Sequence, residues 1–243
     1  TILITGTSSG IGKSTVIEFA KKGWNVIATQ RNPESEMDFR AYPNVKLYAL
    51  DVTHLESIIT VFKKVKEEYA TLDVVVNNAG YGVDGAFEAM TDAVIEKQFD
   101  TNVFGLMRVT REAIKAMRPS GGGTIIQISS MGGKITFPLY SIYHATKFAV
   151  EGFTESLHYE LSQFNIKMKL IEPGPIVTDF YGRSRQFVKP VDTNQEELNL
   201  FPKLTLDDVL REVYLVQESL GTMNKLLKQI AEKVSVLDNI QDT

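Results

Sequence analysis

Residues 1–12 read Thr1-Ile2-Leu3-Ile4-Thr5-Gly6-Thr7-Ser8-Ser9-Gly10-Ile11-Gly12. A short strand-like run, nearly all apolar, breaks into a glycine-rich turn, and a helical pattern follows to about Lys22. Glycine permits a tight turn and lets a phosphate approach the free N–H groups at a helix start. A glycine turn without a ligand is the plain alternative, and the pattern alone is weak evidence against it. It is not a phosphate-binding GxxxxGK[ST] loop, because one residue too many separates Gly6 from Gly12-Lys13.

Working outward, strand-like runs recur at 24–29, 45–50, 72–77, 123–129 and 166–172. Longer helical patterns lie near 54–69, 92–117 and 142–164. Uniformly apolar strands alternating with helices imply right-handed crossovers and a buried parallel sheet. The expectation is an α/β fold: a Rossmann-like, doubly wound parallel sheet flanked by helices, in one domain over 1–243. In the helix near 54–69, Leu55, Ile58, Ile59, Phe62, Val65 and Tyr69 repeat with a period near 3.6. Thr53 and Glu56 have the spacing of a capping box. After Pro173 the pattern loosens, and 173–203 carries four prolines. Such a stretch reads as a long segment with a short helix, and 175–204 is expected to form a substrate lid. Helices over 205–218, capped by Thr205, and over 222–238 make 205–243 an atypical helical C-terminal segment.

Composition narrows the chemistry. The 243 residues are 43% hydrophobic and 23% charged, as a globular chain should be. No cysteine is present, which excludes disulfides, thiolate catalysis and cysteine-held metals. His54, His144 and His158 are the only histidines and lack metal-ligand spacing, so no metal is expected. A formal charge of −4 argues against a nucleic-acid partner. No apolar run is long enough for a membrane span, and the first residues lack a signal-peptide layout, so a cytoplasmic location is expected.

Two positions define the chemistry more closely. The second strand ends Ala28-Thr29-Gln30-Arg31, where an NAD site usually places an acid for the adenosine ribose. Arg31 suits a 2′-phosphate, so NADP (NADPH) is expected over NAD. Further on, Tyr143 and Lys147 stand at i and i+4 and share a helix face. An ammonium near a phenol favours the phenolate, and such a tyrosine can exchange a proton with a carbonyl or alcohol oxygen. Alone, the pair reads equally as a surface contact. His144 points about 100° away from Tyr143 around the helix, so no catalytic role is expected for it.

Together these elements resemble the short-chain dehydrogenase/reductase family. The matching pieces are T-G-T-S-S-G-I-G at 5–12, N-N-A-G at 77–80, Asn102, Ser130, Y-H-A-T-K at 143–147 and P-G-P-I-V-T at 173–178. The resemblance covers roughly residues 1–180, and residues 143–157 are most like bacterial and sterol- or retinol-type members. It implies that Tyr143 donates the proton in reduction and accepts it in oxidation. Lys147 would hold the nicotinamide ribose and lower the tyrosine pKa. Ser130, thirteen positions before the tyrosine, would bind the substrate oxygen, with Ser129 as runner-up. Asn102 would help hold a relay water. Cofactor contacts would come from Gly6, Ser8, Ser9, Gly10, Ile11 and Gly12, from Arg31, Asp51 and Val52, and from Asn78, Ala79 and Gly80. Pro173, Gly174, Ile176 and Thr178 would complete them.

The expected activity is hydride transfer between NADP and a carbonyl or secondary alcohol. Met131, Phe137, Leu139 and Tyr140, with Phe180 and Tyr181, suggest a hydrophobic substrate. The alternative is a dinucleotide-binding regulator or scaffold without turnover. A third option is epimerisation or dehydration by the same tyrosine. A homo-oligomer is expected, a dimer favoured, through the helices near 92–117 and 142–164.

Overall fold

The computed structural model describes residues 1–33, 38–176 and 185–188. The chain divides into two units, Thr1–Val191 and Asp192–Thr243, and every described residue lies in the first. The expected helices over 205–218 and 222–238, most of the 175–204 lid, and Thr178, Phe180 and Tyr181 fall outside the described residues.

Six parallel strands form the main sheet: β1 (Ile2–Thr5), β2 (Val26–Gln30), β3 (Val45–Ala49), β4 (Val74–Asn77), β6 (Gly123–Ile128) and β7 (Ile166–Ile171), in the order β3-β2-β1-β4-β6-β7. Alternation along β1 shows why both faces are covered. Leu3 packs with Ile58, Phe62, Val109, Val75, Ile125 and Leu157 on one face. Ile2 and Ile4 pack with Val16, Ala20, Val26, Ala28 and Val76 on the other. Successive strand side chains point to opposite faces, so an apolar run such as Ile2-Leu3-Ile4 must be buried on both. The expectation of uniformly apolar strands fails at the two edges, where β3 and β7 alternate and expose Lys46, Lys167 and Lys169 to water. Helices α2 (Leu55–Glu68), α4 (Leu106–Met117) and α5 (Ser141–Leu161) supply residues to the first layer, and α1 (Gly10–Lys21) supplies the second.

Several elements depart from the sequence reading. The α2 stripe is centred on Ile58, Val61, Phe62 and Val65, while Leu55 and Ile59 are exposed. Thr53 does not cap α2. The N-cap is His54, without a side-chain bond, and Thr53 instead donates from Oγ1 (2.7 Å) and N (2.9 Å) to Asp51 Oδ1. The nearby carboxylate takes the hydroxyl that a capping box needs.

The span 92–117 is not one helix. It comprises α3 (Asp92–Phe99), a π-helical turn at Asp100–Gly105, and α4. Packing accounts for the break. Asn102 bonds the Tyr81 backbone on one side of the turn, and Gly105 approaches Val52 on the other. The ion pair Arg108–Asp100 at 2.7 Å spans the widened turn. A short strand, β8 (Arg185–Val188), stands in the segment read as containing a short helix, paired in parallel with β5 (Gly82–Gly85). Among the described residues no helix is long and apolar enough to cross a membrane.

Candidate active site

In the main sheet the strand order turns back between β1 and β4, with crossovers leading to β2–β3 on one side and β6–β7 on the other. Diverging loops leave a crevice outside the strand ends at such a point. Here the crevice measures about 1030 Å³.

The glycine turn forms one end. Gly6 (φ 69°) and Gly10 (φ 54°) adopt the left-handed region that disfavours side chains. A Cβ on Gly6 would lie 2.7 Å from Ala79 Cα. Asn78 Nδ2 donates to the carbonyls of Thr5 and Gly6, both at 2.9 Å, and ties the turn to the end of β4. Thr5 Oγ1 accepts from the Asn78 and Ala79 amides at 3.0 and 3.1 Å. Gly6, Ser8, Ser9, Gly10 and Ile11 border the crevice, as do Asn78, Ala79 and Gly80. Gly12 does not. A Cβ there would meet Asn78 Nδ2 and Gly6 O at 2.4 Å, so its small size serves helix packing. Ser9 makes no side-chain cap bond, so its hydroxyl does not occupy the positive N-terminal turn of α1, which faces the crevice at Gly10 and Ile11.

Arg31, Asp51 and Val52 border the next section. Burial works against the Asp51 charge, but the two Thr53 hydrogen bonds, with His54 and Arg31 nearby, hold its carboxyl below the usual range. At the far end lie Pro173, Gly174 and Ile176.

Between these ends, α5 presents Tyr143 and Lys147 to the crevice. Lys147 Nζ lies 5.7 Å from the Tyr143 ring centroid and donates to the Ile128 carbonyl at 2.9 Å. Burial depresses its pKa to about 8, opposed by Glu151 one turn on. Ser130 faces the same space, its Oγ accepting from the Gly132 amide at 3.0 Å. Ser129 also borders the crevice, but its hydroxyl is buried and sits with Glu151 around Gly133. Asn102 is buried and does not border the crevice. Its Oδ1 accepts from the Tyr81 amide (3.1 Å), and its Nδ2 donates to the Tyr81 carbonyl (2.9 Å) and Thr146 Oγ1 (3.3 Å). Met131, Phe137 and Tyr140 line the site, whereas Leu139 is exposed with φ 65°.

Tyr81, Lys97, Arg185 and Gln186 also border the crevice and were not singled out in the sequence, and His144, expected to point away from Tyr143, borders it too. Arg185 pairs with buried Asp84, Nε to Oδ1 at 2.6 Å and Nη2 to Oδ2, and lies 5.8 Å from the Tyr140 ring centroid. No pattern in the irregular segment after Pro173 signals it; only the β5–β8 pairing brings it there.

A family model described as short chain dehydrogenase matches residues 1–189. The chain is 38% identical over 179 residues to 3-ketodihydrosphingosine reductase of Bacteroides thetaiotaomicron, covering 74% of this chain and 65% of that protein. It therefore spans less than two thirds of that relative's length. Identity to human retinol dehydrogenase 8 is 37% over 218 residues, covering 85% of this chain and 69% of that one. The structure of ElxO with NADP bound gives a TM-score of 0.70 at 35% identity, covering 73% of this chain and 74% of that one. The matched span takes in both the glycine turn and the helix bearing Tyr143 and Lys147, and the chain belongs to the short-chain dehydrogenase family.

Proposed function

We propose that the protein is an NADP-dependent oxidoreductase acting on a carbonyl or secondary alcohol of a hydrophobic substrate. The supporting observation is the convergence of Tyr143, Lys147 and Ser130 on a crevice continuous with the glycine turn and Arg31. The residues present suit the dinucleotide. The left-handed glycines and the N-terminal turn of α1 would receive its pyrophosphate, and Arg31 a 2′-phosphate. Asn78, Ala79, Gly80, Pro173, Gly174 and Ile176 would flank the remainder, with Asp51 and Val52 at the adenine end. When bound, the dinucleotide supplies the hydride.

The chain's own residues handle position and protons. Tyr143 would give its phenolic proton to the carbonyl oxygen, or take one from the alcohol. The Lys147 ammonium nearby favours the phenolate formed in reduction. Ser130 Oγ is already an acceptor for Gly132 N–H, which leaves its O–H to donate to the substrate oxygen. Two donors on one oxygen stabilise the charge that develops there. Asn102 would act through the main-chain turn it stabilises. Met131, Phe137 and Tyr140 supply an apolar wall, and the names of the sphingosine- and retinol-type relatives agree with a hydrophobic substrate. Exposed Phe104 and Phe148, on the π turn and α5, support a homodimer through that region.

The test is NADPH oxidation against a panel of long-chain ketones. Tyr143→Phe should lower kcat by about 10²–10⁴-fold and leave NADPH binding intact. Tight NADPH binding with no turnover across the panel would instead favour a dinucleotide-binding scaffold.

A further inference from the structure

We infer that His144 is a positioning residue: its buried imidazole fixes the Gly132 peptide that orients the Ser130 hydroxyl, and closes the loop that carries Phe137 to the crevice. This rests on the oxidoreductase reading only for what Ser130 does.

Both ring nitrogens are engaged. Nε2 bonds the Phe137 backbone nitrogen at 2.7 Å, and Nδ1 bonds the Gly132 carbonyl at 2.7 Å. A backbone N–H can only donate and a carbonyl can only accept. Nε2 is therefore the acceptor and Nδ1 carries the proton, so one neutral tautomer satisfies both partners. The residue is 4% exposed, and burial pushes the imidazole pKa below its ordinary value, while the Gly132 carbonyl pulls the other way.

Gly132 is the link to chemistry. Its carbonyl is held by His144, and its own N–H donates to Ser130 Oγ at 3.0 Å. It has no freedom to turn aside. A Cβ there would lie 2.9 Å from His144 Nδ1 and 3.3 Å from Tyr143 Cε1. The second bond draws in the chain at Phe137, whose ring centroid lies 5.6 Å from that of the imidazole. Tyr140 and Tyr143 are the titratable side chains in ring contact with His144, at 6.1 and 6.0 Å between centroids. A protonated ring would set a second N–H against the Phe137 amide. The loop tie is then lost as pH falls through the depressed pKa.

Three variants of the full chain separate the two bonds. His144→Asn keeps a donor near the Nδ1 position. His144→Gln reaches the Phe137 amide but not the Gly132 carbonyl. His144→Phe keeps a ring and loses both. With NADPH and a long-chain ketone, His144→Phe should lose about 10- to 100-fold in kcat, with the KM for NADPH changed less than about twofold. His144→Asn should recover about tenfold over His144→Gln, and its kcat should lack the acid limb of the parent. Side-chain ¹⁵N spectra of the parent should show the Nδ1–H tautomer, and amide exchange at Gly132 and Phe137 should quicken in His144→Phe. Parent-like kcat in His144→Phe, equal kcat in the Asn and Gln variants, or an Nε2–H tautomer would overturn the inference. If the parent itself turns over no ketone, the oxidoreductase reading falls. The tautomer and exchange data then decide the imidazole's role alone. Should His144→Phe not fold, the Asn–Gln comparison carries the same decision.

Discussion

Lys147 is buried with its ammonium on one backbone carbonyl, an arrangement that costs the fold stability and suits the proton-transfer role proposed for Tyr143. Burial lowers its pKa to about 8 in the folded chain, from an ordinary lysine value of 10.5. The unfolded chain binds more protons between these values, so stability should rise with pH across that window. Below about pH 8 the full cost applies, about 3 kcal/mol at 1.36 kcal/mol per pKa unit. Lys147→Met should therefore stabilise the protein at pH 7 by ~1–3 kcal/mol, less the lost bond to Ile128, and abolish turnover. Urea denaturation at pH 7 and pH 10 checks this; an advantage that does not shrink at the higher pH counts against the assignment. Arg31 makes a second residue-level prediction. Arg31→Asp should shift the ratio of NADP to NAD affinity by about 10- to 100-fold toward NAD, since a charge-assisted bond contributes ~1.5–3 kcal/mol. Titration with both dinucleotides measures the ratio, and an unchanged one removes the basis for preferring NADP.

At the scale of elements, the π turn is the feature that connects packing to the site. It lets Asn102 bond the Tyr81 backbone while Gly105 presses on Val52, a crevice residue. A Cβ on Gly105 would meet Val52 Cγ2 at 2.7 Å and the Asp100 carbonyl at 3.1 Å. Gly105→Ala should destabilise by about 1–3 kcal/mol, as overpacking does. It should also weaken dinucleotide binding, because the adjustment falls on Val52. A stability loss with unchanged NADPH affinity would place the strain elsewhere. This turn also shows a limit of periodicity. The apolar spacing over 92–117 suits a continuous helix, and only contacts to Tyr81 and Val52, distant in sequence, make an extra residue in the turn favourable. The missing α2 cap has a different cause: Thr53 has the spacing of a cap, but the Asp51 carboxylate two residues before it takes its hydroxyl and its amide.

For the molecule as a whole, the crevice joins loops from both halves of the sheet, so a ligand that fills it should hold those halves together. NADPH at a hundred times its Kd should add about 2.7 kcal/mol of stability, equivalent to ~5–10 °C in Tm. NAD at the same concentration should give a smaller shift, and a thermal scan with each distinguishes them; equal shifts would contradict the role given to Arg31. The buried centre of the parallel sheet is legible in runs such as Ile2-Leu3-Ile4 and Val74-Val75-Val76, whose side chains need cover on both faces, whereas the edge strands β3 and β7 alternate, expose Lys46, Lys167 and Lys169, and carry no such signal. The glycine turn, Arg31 and the Tyr143–Lys147 pair are likewise local patterns at strand ends or on one helix face, and all border the crevice, while Ser130 was reached only through the family resemblance. The folded chain was needed to show that Asn102 turns to the Tyr81 backbone, that β8 brings Arg185 to Asp84, and that His144 ties Gly132 to Phe137. Those are bonds between groups whose meeting depends on how loops close over the sheet, and spacing along a chain does not encode such closure.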